Sequence, residues 1–162
     1  MRALILYRSY HGNTRQVAEA IEQRLKALGH GTILQDLRAR LPDLTEVDGV
    51  LLGAPTRMAG VTGRAKAALR KLRAKGLGRR PLAVFDTFGP RPKTPEEAAE
   101  VERWINPGAA GILRKKAEQL GLNVHAEVLR CAVWEMKGPL ADGELDKVAP
   151  FVEGFVAGAP KA

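Results

Sequence analysis

Short apolar runs alternate with segments of helical periodicity along most of the chain. The strand-length runs lie at about residues 2–7, 32–36, 49–54, 81–86 and 123–133. Apolar residues with helical spacing lie at about 13–28, 61–75 and 107–120, and in a last segment after Asp142. Five strands that alternate with helices predict a parallel sheet with helices on both faces. We therefore expect an α/β protein.

Local signals predict where several helices begin and end. Gly29 is the expected left-handed residue after the first helix. Thr94, followed by a proline and then a glutamate at the third position, predicts a short extra helix inserted around 91–106. Asn106 and Asp142 are the expected N-caps of the two helices that follow.

The loop after the first strand is the strongest candidate for a binding site. It runs from Ser9 to Thr14 and opens the first helix directly. Loop hydroxyls, backbone N–H groups and the helix N-terminus together can hold a phosphate. Gly12 has no side chain, so the main chain can approach a ligand there. The alternative is that Ser9 or Asn13 only caps the helix. The glycine patterns of dinucleotide and P-loop nucleotide sites are absent.

The order Leu-Tyr-x-Ser-x-x-Gly-Asn-Thr-x-x-x-Ala in this region resembles the phosphate-binding loop of flavodoxins, which hold FMN. The resemblance implies a flavodoxin-like three-layer sandwich: one domain over residues 1–162, with a five-stranded parallel sheet in the order 2-1-3-4-5. It also implies noncovalent FMN beyond the carboxyl ends of strands 1 and 3. The residues implied at the phosphate are Ser9, Tyr10, His11, Gly12, Asn13 and Thr14.

The loop after the third strand is similar to the flavin-flanking loop of the same family. Its Gly-x-Pro-Thr-Arg order, followed by Thr62-Gly63-Arg64, resembles the NAD(P)H:quinone oxidoreductases of the tryptophan-repressor-binding-protein type. The resemblance implies that backbone amides bond the flavin edge and that an arginine or methionine covers one ring face. The residues concerned are Pro55, Thr56, Arg57, Met58, Ala59 and Gly60. The alternative is a strand-ending turn before a helix capped by Thr62. The tryptophan that many short-chain flavodoxins carry here is absent.

A third loop, Thr87-Phe88-Gly89, follows the fourth strand, at the position of the family's other flavin-contacting loop. The resemblance makes Phe88 the candidate for a stacking ring. Trp104, in the inserted segment, either folds over the flavin or anchors the extra helix. Aromatic side chains on helices mostly serve packing, so anchoring is the favoured interpretation.

The chain is basic, with a formal net charge of +8, whereas flavodoxins that replace ferredoxin are usually acidic. No acidic residue occurs from Val50 to Phe85, and Lys66, Arg70 and Arg73 share one face of the predicted helix. Such a face suits an acidic redox partner or the phosphates of NADPH. A solvated face without a partner is the alternative. Nucleic-acid binding lacks a supporting motif.

Three functions remain open from the sequence. The first is an FMN electron carrier, and the second is an FMN-dependent NAD(P)H:quinone oxidoreductase. The third is an FMN-free domain that binds an acidic partner or polyanion through its basic helix. Cys131, the only cysteine, excludes an intrachain disulfide and is interpreted as a buried apolar residue. Because no signal peptide or membrane span is recognisable, we expect a cytoplasmic protein.

Overall fold

The computed structural model describes residues 1–161, which contain a five-stranded, fully parallel sheet. Its strands are β1 (Arg2–Tyr7), β2 (Gly31–Asp36), β3 (Gly49–Pro55), β4 (Leu82–Phe88) and β5 (Leu129–Ala132). The spatial order is β2-β1-β3-β4-β5, which confirms the prediction. The order reverses between β1 and β3, so the chain leaves these strands toward opposite faces and opens a crevice at their carboxyl ends.

Helices cover both faces of the sheet and bury one apolar cluster on each. They are α1 (Asn13–Ala27), α2 (Gly63–Ala74), α3 (Pro95–Ile105), α4 (Gly108–Gln119) and α5 (Val148–Gly158), with a 3-10 helix at Glu144–Lys147. α1 and α5 pack on one face, whereas α2 and α4 pack on the other. Central strand β3 is buried along most of its length because both faces are covered. None of the helices within residues 1–161 is long and apolar enough to cross a bilayer.

The sheet edge at β5 differs from the prediction. The predicted strand from 123 to 133 is wrong in its first half, because the chain makes only a single bridge there, between Val124 and Leu82. Regular pairing begins at Leu129. The backbone N–H of Ala132 donates to the Glu144 carboxylate at 3.0 Å, so the following segment covers part of this edge. Edge strands need such protection because their unpaired backbone groups attract other strands.

Two predicted N-caps are wrong, and two are confirmed. Thr62 caps α2 by accepting from Ala65 N at 3.4 Å. Thr94 caps α3 by accepting from Glu97 N at 3.1 Å. Asn106 does not cap α4, since its side-chain oxygen accepts from Arg130 at 2.8 Å. Asp142 caps no helix either, since the 3-10 helix follows Gly143, which has φ +78°. The Asn106 side chain thus bonds a cation distant in the sequence instead of its own helix. At Asp142, a glycine turn begins the 3-10 helix without a side-chain cap.

Candidate functional site

One cavity of about 500 Å³ opens at the carboxyl ends of β1, β3 and β4. It brings together most of the predicted site residues: Ser9, Tyr10, His11, Asn13, Thr14, Pro55, Thr56, Arg57, Met58, Thr87, Phe88 and Gly89. Gly12, Ala59 and Gly60 belong to the same loops but do not line the cavity. Three loops that are far apart in the sequence therefore form one site.

The loop after β1 leads into α1 at the cavity, and no side chain caps the N-terminus of this helix. Gly12, in the left-handed region at φ +88°, precedes the helix. The first turn holds no acidic residue. Ser9 Oγ accepts from Gly12 N at 3.1 Å and so shapes the turn from within. Uncapped N–H groups at a helix N-terminus favour an anion.

Two arginines converge on Tyr10 at the cavity. The guanidinium carbon of Arg8 lies 4.2 Å from the Tyr10 ring centroid, and that of Arg57 lies 4.6 Å from it. Arg57 comes from the loop after β3, so this stacking joins two of the three loops. Cation–π stacking of this kind contributes about 0.5–1 kcal/mol at exposed sites, and it places two positive charges on a residue of the loop after β1.

The loop after β3 ends in a tight turn with unusual backbone angles. Met58 has φ +49° and Ala59 has φ +62°, the only two non-glycine residues with positive φ among residues 1–161. Arg57 and Gly60 close the turn with two reciprocal backbone bonds of 3.0 and 2.8 Å. Residues in this region cost of order 1–3 kcal/mol and persist only where their surroundings fix them. The turn holds the Met58 side chain at the cavity, 80% exposed.

Four of the five large exposed apolar side chains within residues 1–161 lie around this cavity, Leu28 being the exception. Tyr10, Met58, Trp104 and Met136 all line it and are all exposed. The favoured interpretation of Trp104 as an anchor is wrong, because its side chain is 43% exposed and none of the residues of α3 is buried. A large apolar surface concentrated at one concavity marks a binding site.

Sequence reasoning missed the contribution of the loop after β5. None of residues 134–140 was among the predicted site residues, yet Met136 lines the cavity. Asn13 Nδ2 donates to the Lys137 carbonyl at 3.1 Å, so this loop is tied to the loop after β1. Only the position of this loop could have indicated its role, because β5 is parallel to β4 and its carboxyl end lies at the same edge of the sheet.

A buried carboxylate, which sequence reasoning did not assign to the site, lies directly behind it. Asp86 is fully buried and accepts from Ala110 N at 2.9 Å and from Thr56 Oγ1 at 3.0 Å. Arg130 Nε pairs with it at 3.0 Å. Burial raises the pKa of the Asp86 carboxyl above its usual range, and the Arg130 charge opposes this. The carboxylate also takes the place of a local cap for α4, because it bonds an N–H group of that helix.

The environment of Cys131 does not favour nucleophilic chemistry. Cys131 is buried, as predicted, and burial raises the pKa of its thiol to about 12. It is therefore a poor nucleophile at neutral pH. No group of three or more His, Cys, Asp or Glu residues suited to a metal occurs within 1–161.

The sequence model of the flavodoxin domain matches residues 4–133. The chain belongs to the flavodoxin domain family. Among solved structures, flavodoxin 2 from Bacillus cereus is 23% identical, with a TM-score of 0.70 over 97% of this chain and 99% of that one. A short-chain flavodoxin associated with a non-canonical PDU bacterial microcompartment is 15% identical, with a TM-score of 0.75 over 99% of both chains.

A flavodoxin, WrbA-like protein from Agrobacterium tumefaciens is 16% identical, with a TM-score of 0.67 over 96% of this chain and 95% of that one. At these identities the structural matches establish the flavodoxin fold. No curated protein matches the chain. The family assignment confirms the resemblance seen in the loop sequences.

Proposed function

We propose that this flavodoxin-domain protein binds FMN noncovalently in the cavity and carries electrons to a partner. The cavity's position carries the proposal: it lies at the crevice beside β1 and β3, with the uncapped α1 N-terminus in its wall. Its volume of about 500 Å³ lies within the range of roughly 300–1,000 Å³ typical of small-molecule sites. When bound, FMN would supply reversible one- or two-electron transfer.

The loop after β1 fits a phosphate group. Ser9 Oγ accepts from Gly12 N through a lone pair, which leaves its own O–H free to donate to an anion. The first-turn N–H groups of α1 add donors and partial positive charge. Arg8 and Arg57, stacked on Tyr10 of this loop, add two full charges.

The remaining walls fit a flat aromatic ring. Phe88 and Trp104 supply aromatic surface, and Met58 and Val133 supply apolar surface. These side chains would hold the ring by contact and exclude water from it. Exclusion of water strengthens polar interactions inside the cavity. The resemblance implied backbone donors from the loop after β3, but the N–H groups of Thr56, Arg57, Ala59 and Gly60 already donate to carbonyls within the protein.

Binding of FMN is tested by titrating the purified protein and following flavin fluorescence. Ser9→Ala combined with Asn13→Ala removes two polar side chains from the loop, and we expect FMN affinity to fall at least tenfold, since bonds to phosphate are charge-assisted. Thr45→Ala, which removes an exposed hydroxyl bonded to Asp43, is the matched control and should bind like the wild type. Unchanged affinity in the double variant would refute the phosphate site, and wild-type protein that binds no FMN would refute the cofactor.

The basic face supports an acidic partner. Lys66, Arg70 and Arg73 lie on α2, which begins just after the loop that follows β3. None of the three pairs with a carboxylate of residues 1–161. Unpaired cations on a surface raise the rate of encounter with an oppositely charged protein.

An acidic ferredoxin is a suitable probe for this face. We expect its electron exchange with the FMN-loaded protein to slow as salt increases, and to slow about tenfold at low salt in Arg70→Glu with Arg73→Glu. Lys26→Glu with Lys161→Glu makes the same charge change outside α2 and should change the rate much less. Equal effects from both pairs would show that net charge acts, rather than this face.

A reductase function is favoured by one observation. Met58 and Met136 are 80% and 83% exposed beside the cavity, so this side of the site is open to a second small ligand. Steady oxidation of NADPH with a quinone acceptor would support the reductase, whereas electron exchange with the ferredoxin alone would support the carrier.

A further inference from the structure

Arg130 makes other tertiary contacts besides its ion pair with Asp86. Its Nη2 donates to the Ile105 carbonyl at 2.6 Å, and its Nη1 donates to Asn106 Oδ1 at 2.8 Å. Its guanidinium carbon lies 4.4 Å from the centroid of Phe88. One side chain on the edge strand therefore connects the buried carboxylate of β4, the end of α3 and an aromatic wall of the cavity.

The end of α3 is in turn bonded to the strained turn after β3. Trp104 O accepts from Ala59 N at 2.7 Å, and Ala59 O accepts from Gly108 N at 3.1 Å. These two bonds hold both backbone groups of Ala59, which has φ +62°. The turn thus keeps its unfavourable conformation through the junction between α3 and α4, and Arg130 holds that junction.

Thr56 provides a second connection between the loop after β3 and its surroundings. Its hydroxyl donates to Asp86 at 3.0 Å and accepts from Ala109 N at 2.8 Å. The loop after β3 is therefore fixed at its start by the buried carboxylate and at its turn by the junction. Gly108 allows the close approach, because a Cβ there would overlap the Arg130 guanidinium.

We propose that Arg130 is a positioning residue that holds Phe88, Trp104 and the Met58–Ala59 turn together as one rigid wall of the cavity. The side chains of α3 do not perform this task by packing, because none of its residues is buried. Arginine suits the position, since its planar fork donates in several directions at once, which a lysine ammonium does not reproduce. The inserted helix then serves the site through its C-terminal end.

The exposure of Trp104 to solvent is measured first, by its fluorescence in FMN-free protein. All variants carry Trp134→Phe, which removes the other tryptophan. The variants are Arg130→Met, Arg130→Lys and Asn106→Ala; the last removes one partner of the guanidinium at an exposed position and so keeps the fold intact. Arg80→Met is the matched control, because Arg80 also ties loops together, through the Leu44 and Val47 carbonyls, and does not line the cavity.

We expect acrylamide to quench Trp104 about twice as efficiently in Arg130→Met and Arg130→Lys, and to a smaller extent in Asn106→Ala. Arg80→Met should lower the unfolding temperature and leave Trp104 quenching unchanged. Wild-type quenching in both Arg130→Lys and Asn106→Ala would overturn the proposal, even if Arg130→Met fails to fold.

The second readout is FMN affinity, and only this part rests on the proposed function. Loss of bonds to a charged group should weaken binding about tenfold in Arg130→Lys, with no change in Arg80→Met. Unchanged FMN affinity together with increased Trp104 quenching would limit the role of Arg130 to the α3 junction and overturn its role in the site. Absence of FMN binding in the wild type would refute the proposed function, while the quenching result would still decide the role of Arg130.

Discussion

The hydroxyl oxygens of Thr14 and Thr87 lie 2.7 Å apart, and both side chains are buried. Thr14 stands in the first turn of α1, and Thr87 stands near the carboxyl end of β4. The bond therefore joins the proposed phosphate loop to the loop that carries Phe88. Sequence resemblance assigned both threonines to the cofactor. In the structure the two hydroxyls also bond each other, which uses only one of their two O–H groups.

This pair makes a prediction about stability. Thr14→Val leaves the Thr87 hydroxyl buried without a partner, and we expect a loss of about 1–3 kcal/mol in the free energy of unfolding. Thr87→Val should cost a similar amount. The double variant should cost clearly less than the sum, because no unpaired hydroxyl remains. Urea unfolding of the four proteins measures the coupling, and strict additivity would mean that the two hydroxyls do not interact.

Gly12 supports a second prediction, which concerns backbone strain. A Cβ at Gly12 would meet no atom within 4 Å, but the residue has φ +88°. Gly12→Ala should therefore cost about 1–2 kcal/mol through conformation alone. Gly63, at the start of α2, is equally open and lacks the positive φ. Gly63→Ala should instead stabilise the protein by about 0.4–1 kcal/mol. The same sign in both unfolding measurements would contradict this reasoning.

The alternation of strands and helices predicted the parallel sheet because local pattern and tertiary packing agree there, and the resemblance to flavodoxins supplied the strand order. The predicted β5 was too long because an apolar pattern does not show where an edge strand leaves its neighbour; the chain leaves the sheet between Val124 and Leu129. The three loops were predictable because each follows a strand directly. The Asp86–Arg130 pair was not, because its partners are 44 residues apart and no local spacing connects them.

Glu144 leads to a prediction about the sheet edge. Its buried carboxylate accepts from Ala132 N at 3.0 Å and from Lys147 Nζ at 2.5 Å. Glu144→Ala leaves the strand N–H without this acceptor, and we expect a loss of about 1–3 kcal/mol, with more aggregation by light scattering. Glu144→Gln keeps an acceptor and should aggregate less.

Glu118→Ala is the control for Glu144, because it removes only an exposed ion pair with Arg114. Its effect on stability should stay within about 0.5 kcal/mol. Equal losses in Glu144→Ala and Glu118→Ala would show that the edge bond contributes nothing of its own.

Cys131 supports a prediction about pH. Burial, with a smaller contribution from the Glu144 charge, raises the pKa of its thiol to about 12. An unfolded cysteine ionises near pH 8.5, so the unfolded state releases this proton first as pH rises. The stability that the protonated thiol provides is complete below about pH 8.5 and is lost as the pH rises toward 12.

Urea unfolding between pH 8 and pH 11 measures how steeply the free energy of unfolding falls with pH. Cys131→Ala, which lacks the thiol, is the control and should show a smaller slope. In the native protein at pH 8, the thiol should not react with a disulfide reagent until denaturant is added. Rapid reaction of the folded protein, or identical slopes in the two proteins, would show that Cys131 ionises freely.

Helix α3 is bonded to the rest of the protein at its C-terminal end, where Arg130 donates to the Ile105 carbonyl, and it contributes no buried residue. Its outward face is therefore free of the volume constraints that fix the core. Mutations there can accumulate without unfolding the sheet, as they do in surface loops. The exposed side of the insert is thus where the charge of the protein can be altered by substitution with the least effect on its folding.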